Sequence, residues 1–326
     1  MSDDEASHEH GHVNSGSLTD ALSRGYNALL TPLAPELEGE SSVLLVPDGS
    51  LYELPFAALR DPCGMHLIER YALRVAPSVG TLLELEKRSA AQPPQISLSA
   101  VVVGDPTFDG GWAQQLPSAR VEAEAVSDLL SETFSDETKV LRLVEHEASK
   151  STVTEALHHR SIIHLATHGT PTGILLGGAS RKDGEMTMAE VQALQLCAQL
   201  VVLSECDSFR GELLAEGMVG ISRAFLAAGA LTVVASLWKV EDDATRELMT
   251  RFYTFLLRGG CGDAAFALQR AMVSMLKEGY SVLQWASFVV CGSGALALGQ
   301  DQSNAATPLE MATGSGVPKL PGTGHG

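Results

Sequence analysis

Ser161-Ile162-Ile163-His164-Leu165-Ala166-Thr167-His168-Gly169 is an apolar run that breaks on a histidine and a glycine. Leu200-Val201-Val202-Leu203-Ser204-Glu205-Cys206-Asp207-Ser208 is an apolar run that breaks on a cysteine. The 38 residues from His168 to Cys206 allow one crossover and are too many for a hairpin. Two adjacent parallel strands are therefore predicted, ending side by side and presenting an imidazole and a thiol to one crevice. A reactive cysteine needs that neighbour, because the thiolate is the nucleophile and an unassisted thiol is mostly protonated at neutral pH.

Strand and helix patterns alternate on either side of this pair. Strands are predicted over Val43–Val46, Ala72–Ala76, Leu98–Gly104, Val140–Val144, Ile162–His168, Leu200–Cys206, Leu231–Leu237 and Phe288–Cys291. Helices are predicted over Thr81–Ser89, Ala119–Leu130, Val153–His159, Met186–Leu194, Gly217–Ala228, Asp243–Leu257 and Gly262–Lys277. The central strands are unbroken apolar runs, the pattern of a sheet covered on both faces. The fold class is thus α/β, a three-layer sandwich with a mostly parallel sheet, whose functional crevice lies at the carboxyl ends of the strands.

Charge and composition narrow the function classes. The 326 residues carry a formal charge of −18, which argues against a nucleic-acid partner. The first residues lack a basic and an apolar region, and no apolar run approaches a membrane span, so neither a leader nor membrane association is expected. The five cysteines are odd in number and contain no CxxC pair, which disfavours a disulfide framework or structural zinc and suits a cytoplasmic protein with reduced thiols. No metal or other cofactor is expected. Residues 1–16 hold His8, His10 and His12 among acidic and polar residues and read as a disordered tail, with metal binding as the alternative. Residues 17–299 form the folded body, and 300–326, rich in Gly, Pro, Thr and Ser, form a second disordered tail.

The candidate chemistry concentrates at the two strand ends. Gly169 lacks a side chain, so its N–H can approach a developing oxyanion, with the Cys206 N–H as second donor. His164 lies inside the apolar run and reads as a core residue or one supporting the site from behind. Cys63, Cys197, Cys261 and Cys291 have no His-Gly strand end at the right distance upstream. The sequence contains no Walker loop, dinucleotide GxGxxG, HExxH or GxSxG. Val103-Gly104-Asp105-Pro106 is a strand-to-loop turn, and a nucleotide-binding domain would need a richer glycine loop there. The glycine-bearing segment from Gly169 to Thr187 reads as a long loop, either ordered over the crevice or without such a role.

These residues together resemble the CHAT domain, a caspase-like cysteine-peptidase module usually found beside tetratricopeptide repeats. The resemblance rests on Leu45-Val46-Pro47-Asp48-Gly49, Leu54-Pro55-Phe56, Tyr71-Ala72-Leu73-Arg74-Val75, Val103-Gly104-Asp105-Pro106 and Leu116-Pro117-Ser118-Ala119 followed by Glu122 and Glu124. It continues through Leu165-Ala166-Thr167-His168-Gly169, Leu203-Ser204-Glu205-Cys206, the segment from Glu216 to Ala230, and Ser236-Leu237-Trp238-Lys239-Val240-Glu241-Asp242. It implies a caspase-like sandwich and cleavage of a protein or peptide substrate, with His168 as general base and Cys206 as nucleophile. Gly169 and Cys206 would supply the oxyanion hole. The resemblance also brings Trp238 and Asp242 near the crevice. Asp242 then either helps hold a basic P1 side chain or N-caps the helix predicted from Asp243, and Trp238 is core or pocket wall.

Two features depart from the family's pattern. Glu205 stands where a small residue is more usual, beside the nucleophile and facing either toward it or away. Tetratricopeptide repeats are absent from this sequence, so the regulatory element would be a partner protein, or the chain is a piece of a longer product. The rival reading is a catalytically silent scaffold on the same fold.

Overall fold

The computed structural model describes residues 15–91, 98–134, 136–170, 172–204, 212–214, 217–238, 240–259 and 262–296. Residues 1–14 of the first expected tail, the whole of the second (300–326) and 297–299 of the expected body lie outside them, as do Glu205, Cys206 and Cys261. An eight-stranded sheet forms the middle layer. Its strands are β1 (Ser42–Leu45), β2 (Ala72–Val75), β3 (Ala100–Pro106), β4 (Val140–Glu145), β5 (Ile162–Ala166), β6 (Leu200–Leu203), β7 (Thr232–Ser236) and β8 (Phe288–Gly292). They lie in the order β1-β2-β8-β7-β6-β5-β3-β4. β7, β6, β5, β3 and β4 are mutually parallel, as are β1, β2 and β8; the two sets oppose each other at the antiparallel β7–β8 pair. All eight predicted strands are present, with boundaries displaced by a few residues.

Because side chains alternate across a strand, each strand feeds two cores. Ala100, Val102, Ile162, Val202, Val234 and Phe288 face α1 (Ser15–Leu29), α3 (Pro117–Thr133), α7 (Asp242–Arg258) and α8 (Ala264–Lys277). Val101, Val103, Ile163, Leu165, Val201, Val233 and Cys291 face α2 (Val79–Ala91), α4 (Lys150–Leu157), α5 (Met188–Ala193) and α6 (Ile221–Ala228). The helices start where local chemistry permits. Pro117 opens α3, whose first N–H groups need no helical partner. Asp263 caps α8 by accepting from the Ala265 and Phe266 N–H groups, and α7 carries Asp242 and Asp243 in its first turn and Arg258 in its last, matching the helix dipole.

Three segments differ from the sequence expectation. Helix α1 was not anticipated, although Leu22 and Tyr26 fall at i, i+4 spacing and are buried. It begins at Ser15, within the segment assigned to the tail. Met186 belongs to a strand, because Thr187 and Glu190 form a capping box that starts α5 at Met188. Gly217–Val219 pairs with Glu212–Leu214 as a hairpin, and the helix expected from Gly217 starts at Ile221 after the extended Gly220.

β3 and α3 approach closely at Gly104, where an added Cβ would stand 2.6 Å from both the Ala119 carbonyl oxygen and the Ala123 Cβ. Gly104→Ala is therefore expected to destabilise the fold by about 1–3 kcal/mol. The measurement is the urea unfolding midpoint, which should fall at unchanged slope; an unchanged midpoint would mean that α3 moves away freely.

Candidate active site

β5 and β6 pair as Ile162–Leu200, Ile163–Val201, His164–Val202 and Leu165–Leu203, and the Ser204 N–H donates to the Leu165 carbonyl at 3.0 Å. The two strand ends that the sequence singled out are thus neighbours at the carboxyl edge of the sheet. His168 stands two residues beyond β5, half-buried, with its ring tilted 39° against Phe108 at a centroid distance of 5.8 Å. Its Nε2 lies 2.8 Å from the Gln114 carbonyl oxygen. A carbonyl only accepts, so Nε2 carries the hydrogen and Nδ1 keeps its lone pair. The buried Thr167 beside it is held by its hydroxyl, which donates to the Leu175 carbonyl at 2.5 Å.

The segment after His168 is folded rather than a loop. Gly169–Thr170, Gly173–Leu175 and Glu185–Thr187 form an antiparallel three-stranded sheet with Ile174, Leu176 and Met186 buried. The Glu185 carboxylate ties it together by accepting from Thr170 and Thr172 and pairing with Arg181, contacts that hold it below the usual carboxylate range, Arg181 first among them. This sheet orients the His168–Gly169 peptide. The His168 carbonyl points at the Leu175 N–H, 2.9 Å away, so in a trans peptide the Gly169 N–H points off the opposite side.

A cleft opens beside these strand ends, with about 470 Å³ of empty space including its mouth. Glu122, Thr167, Ser204 and Ser236 line it with buried polar groups, Val240 and Phe288 form apolar wall, and the exposed Asp242 stands at the rim. Glu122, on α3, is only 4% exposed. Its Oε1 lies 3.1 Å from Nε2 of the fully buried His164, whose Nδ1 lies 3.3 Å from the Tyr253 hydroxyl. Burial, reinforced by the Glu122 charge, pushes the Tyr253 hydroxyl well above the ordinary tyrosine value. The Glu122–His164 contact has ion-pair distance without hydrogen-bond angles. Both atoms, and the Ser204 hydroxyl, therefore have unused bonding capacity among the described residues.

The other sequence candidates separate clearly. Asp242 is the first residue of α7 rather than its N-cap; that position belongs to Glu241, whose carboxylate accepts from Gln284 at 3.1 Å. Trp238 packs against the apolar clusters with its indole N–H donating to the Leu283 carbonyl at 2.9 Å, while Val240 and Asp242 supply the cleft wall from this segment. Cys206 and Glu205 fall outside the described residues. Cys63 and Cys197 are exposed thiols elsewhere, and Cys291 is buried in β8, where burial pushes its thiol up to about 12. Gln114 was not named by the sequence reading, and Glu122 was named only as part of an acidic helix, not as a site residue. Glu122 did carry a signal, since it shares the buried stripe of Ala123, Val126 and Leu130; Gln114 acts through its backbone, which carries none.

A mostly parallel sheet between two helical layers, with a histidine at the carboxyl edge, is the fold of caspase-like cysteine proteases. Solved structures of that class superpose well. The crystal structure of the Arg-specific cysteine proteinase gingipain R matches at a TM-score of 0.58 and 14% identity, covering 87% of this chain and 68% of that one. The Saccharomyces cerevisiae separase–securin complex matches at 0.55 and 17%, covering 77% of this chain and 15% of that one. The CHAT domain model matches residues 19–293, and the chain belongs to the CHAT domain family. Among curated proteins, the chain is 30% identical to tetratricopeptide repeat protein 28 of Homo sapiens and 29% identical to that of Mus musculus. Each alignment covers 82% of this chain and 13% of the relative, so the chain spans a small part of their length. Among the described residues no helix is long and apolar enough to cross a membrane.

Proposed function

We propose that the chain is a cysteine endopeptidase acting through Cys206 and His168. One observation carries the reading. β5 and β6 pair with a constant offset of 38 positions, the same 38 positions that separate His168 from Cys206 in the sequence, which supports a thiol and an imidazole at one level of the sheet edge. His168 Nδ1, left free by the Nε2 contact to Gln114, accepts the thiol proton. The thiolate attacks the scissile carbonyl carbon. Gly169 N–H and Cys206 N–H receive the oxyanion, and the proton passes from His168 to the leaving amine. Water then hydrolyses the thioester with His168 again as base.

The cleft supports a cationic P1 side chain. Glu122 has unused acceptor capacity there, Asp242 adds a second carboxylate at the rim, and no basic residue lines it among the described residues. Gingipain R, which shares the fold, is an Arg-specific cysteine proteinase. The regulatory partner in this reading is a tetratricopeptide-repeat protein, since the curated relatives are named for those repeats. The same relatives support the second reading, a scaffold in which the domain only binds.

The test uses acyloxymethyl ketone peptides matched except for Arg, Met or Asp at P1. The expected result is Cys206-dependent labelling fastest with Arg, with a preference over Met that drops about tenfold in Asp242→Asn, equivalent to about 1.4 kcal/mol. Reaction no faster than that of a free thiol, with or without repeat-protein partners, would leave the scaffold reading in its place. Fast labelling that prefers Asp would retain the peptidase and overturn the cationic pocket.

A further inference from the structure

β3 ends in an irregularity that the dyad does not explain. Gly104 pairs with Val144 and Pro106 with Glu145, so Asp105 is an extra residue between two ladder positions. Its φ is +47°, a left-handed conformation uncommon outside glycine, and its side chain is buried, with the residue 3% exposed. Bulges of this kind turn a side chain out of the strand's alternation and are frequent beside active sites.

The turned side chain meets one loop. Asp105 Oδ1 accepts from the Leu116 N–H at 2.6 Å and from the Gln115 side-chain amide at 3.1 Å. Gln115 Oε1 in turn accepts from the Phe108 N–H at 3.1 Å. The bracket thus closes around Gln114, whose carbonyl takes the His168 Nε2 hydrogen, and around Phe108, whose ring flanks the His168 ring. Both of these contacts connect through Gln115 and Leu116 to the Asp105 carboxylate, with Phe108 held as well by its bridge to Gly178 and by the Trp112 ring.

We infer that Asp105 is a positioning residue for His168, acting through Gln114 and Phe108 to hold the imidazole in the Nε2–H tautomer with Nδ1 toward the nucleophile. The consequence for catalysis rests on the proposed peptidase reading; the effect on the ring does not. A capping role alone, closing the entry to α3 through the Leu116 N–H, leaves the Gln115 bridge to Phe108 without purpose. It also predicts no change at His168.

Two substitutions separate backbone from side chain, because glycine and asparagine both tolerate positive φ. Asp105→Asn keeps an acceptor oxygen, and Asp105→Gly removes it. The readouts are the imidazole ¹⁵N spectrum of His168 and the labelling rate of Cys206, with the thermal midpoint as a check of folding. Asp105→Asn should keep the wild-type tautomer. Asp105→Gly should lose it, with a second tautomer appearing and labelling slowed by about a hundredfold, the order that a misplacement of about 1 Å costs. Gln115→Ala, at an exposed position, removes one strut without touching β3 and should give an intermediate loss. A wild-type His168 spectrum in folded Asp105→Gly would overturn the inference, as would one in Gln115→Ala should Asp105→Gly fail to fold. Failure of the peptidase reading looks different: wild type would not label, while the ¹⁵N comparison would still decide the role of Asp105.

Discussion

His168→Gln is expected to slow alkylation of Cys206 at neutral pH by about 10²–10⁴-fold, the usual contribution of a positioned general base. Glutamine retains an N–H that can reach the Gln114 carbonyl, so the substitution removes the base while keeping the contact that Nε2 makes at 2.8 Å. The measurement is the second-order rate with iodoacetamide across pH, in a background with Cys63, Cys197 and Cys261 changed to serine. Cys291 stays silent in that assay, because its buried thiol is protonated throughout the neutral range. In the wild type the rate should already be high near neutrality. In His168→Gln it should rise only as pH approaches the ordinary thiol value of about 8.5. Identical profiles would mean that the imidazole does not reach the thiol.

The second large effect falls on stability. Glu122→Ala should destabilise the fold by about 1–3 kcal/mol, because it leaves the polar His164 ring buried against Tyr253 without its carboxylate neighbour. The pair itself is a weaker source of stability than that figure suggests. Most of the loss is the penalty on the group left behind, so Glu122→Leu combined with His164→Leu should recover much of it. Urea unfolding of the two single variants and the double variant gives the comparison, with the coupling read as the departure from additivity. Additive losses would show that Glu122 and His164 do not sense each other across 3.1 Å. In that event Glu122 would serve the cleft alone.

Why would a protein bury this pair beside a cleft? Glu122 reaches the cleft from α3, and His164 reaches Glu122 from the middle of β5, so the pair joins a helix to the strand that carries His168. A carboxylate held this way faces an incoming cation with little freedom left to lose. Asp242 differs, since it is exposed on the first turn of α7 and is screened by water. In the proposed peptidase reading the two acids act together on a cationic P1 side chain, Glu122 from its buried position and Asp242 from the rim.

The alternation of apolar runs and amphipathic segments was enough to determine the layers, because a strand covered on both faces must be apolar at every position and a crossover helix must be apolar on one stripe. It also determined that the apolar runs leading to His168 and Cys206 form neighbouring parallel strands, since the spacing between them fits a crossover and not a hairpin. The tertiary structure alone decided that β8 inserts between β2 and β7 and runs against the latter, because strand order depends on packing between segments far apart in the chain. It decided the fate of Glu122, a glutamate that looks like one more surface charge until α3 settles its stripe on the sheet. It decided Asp105 as well, whose turned side chain follows from a bulge that no residue type announces. The partner of His168 was beyond any reading of side chains, for it is a main-chain oxygen of Gln114, and every residue has one.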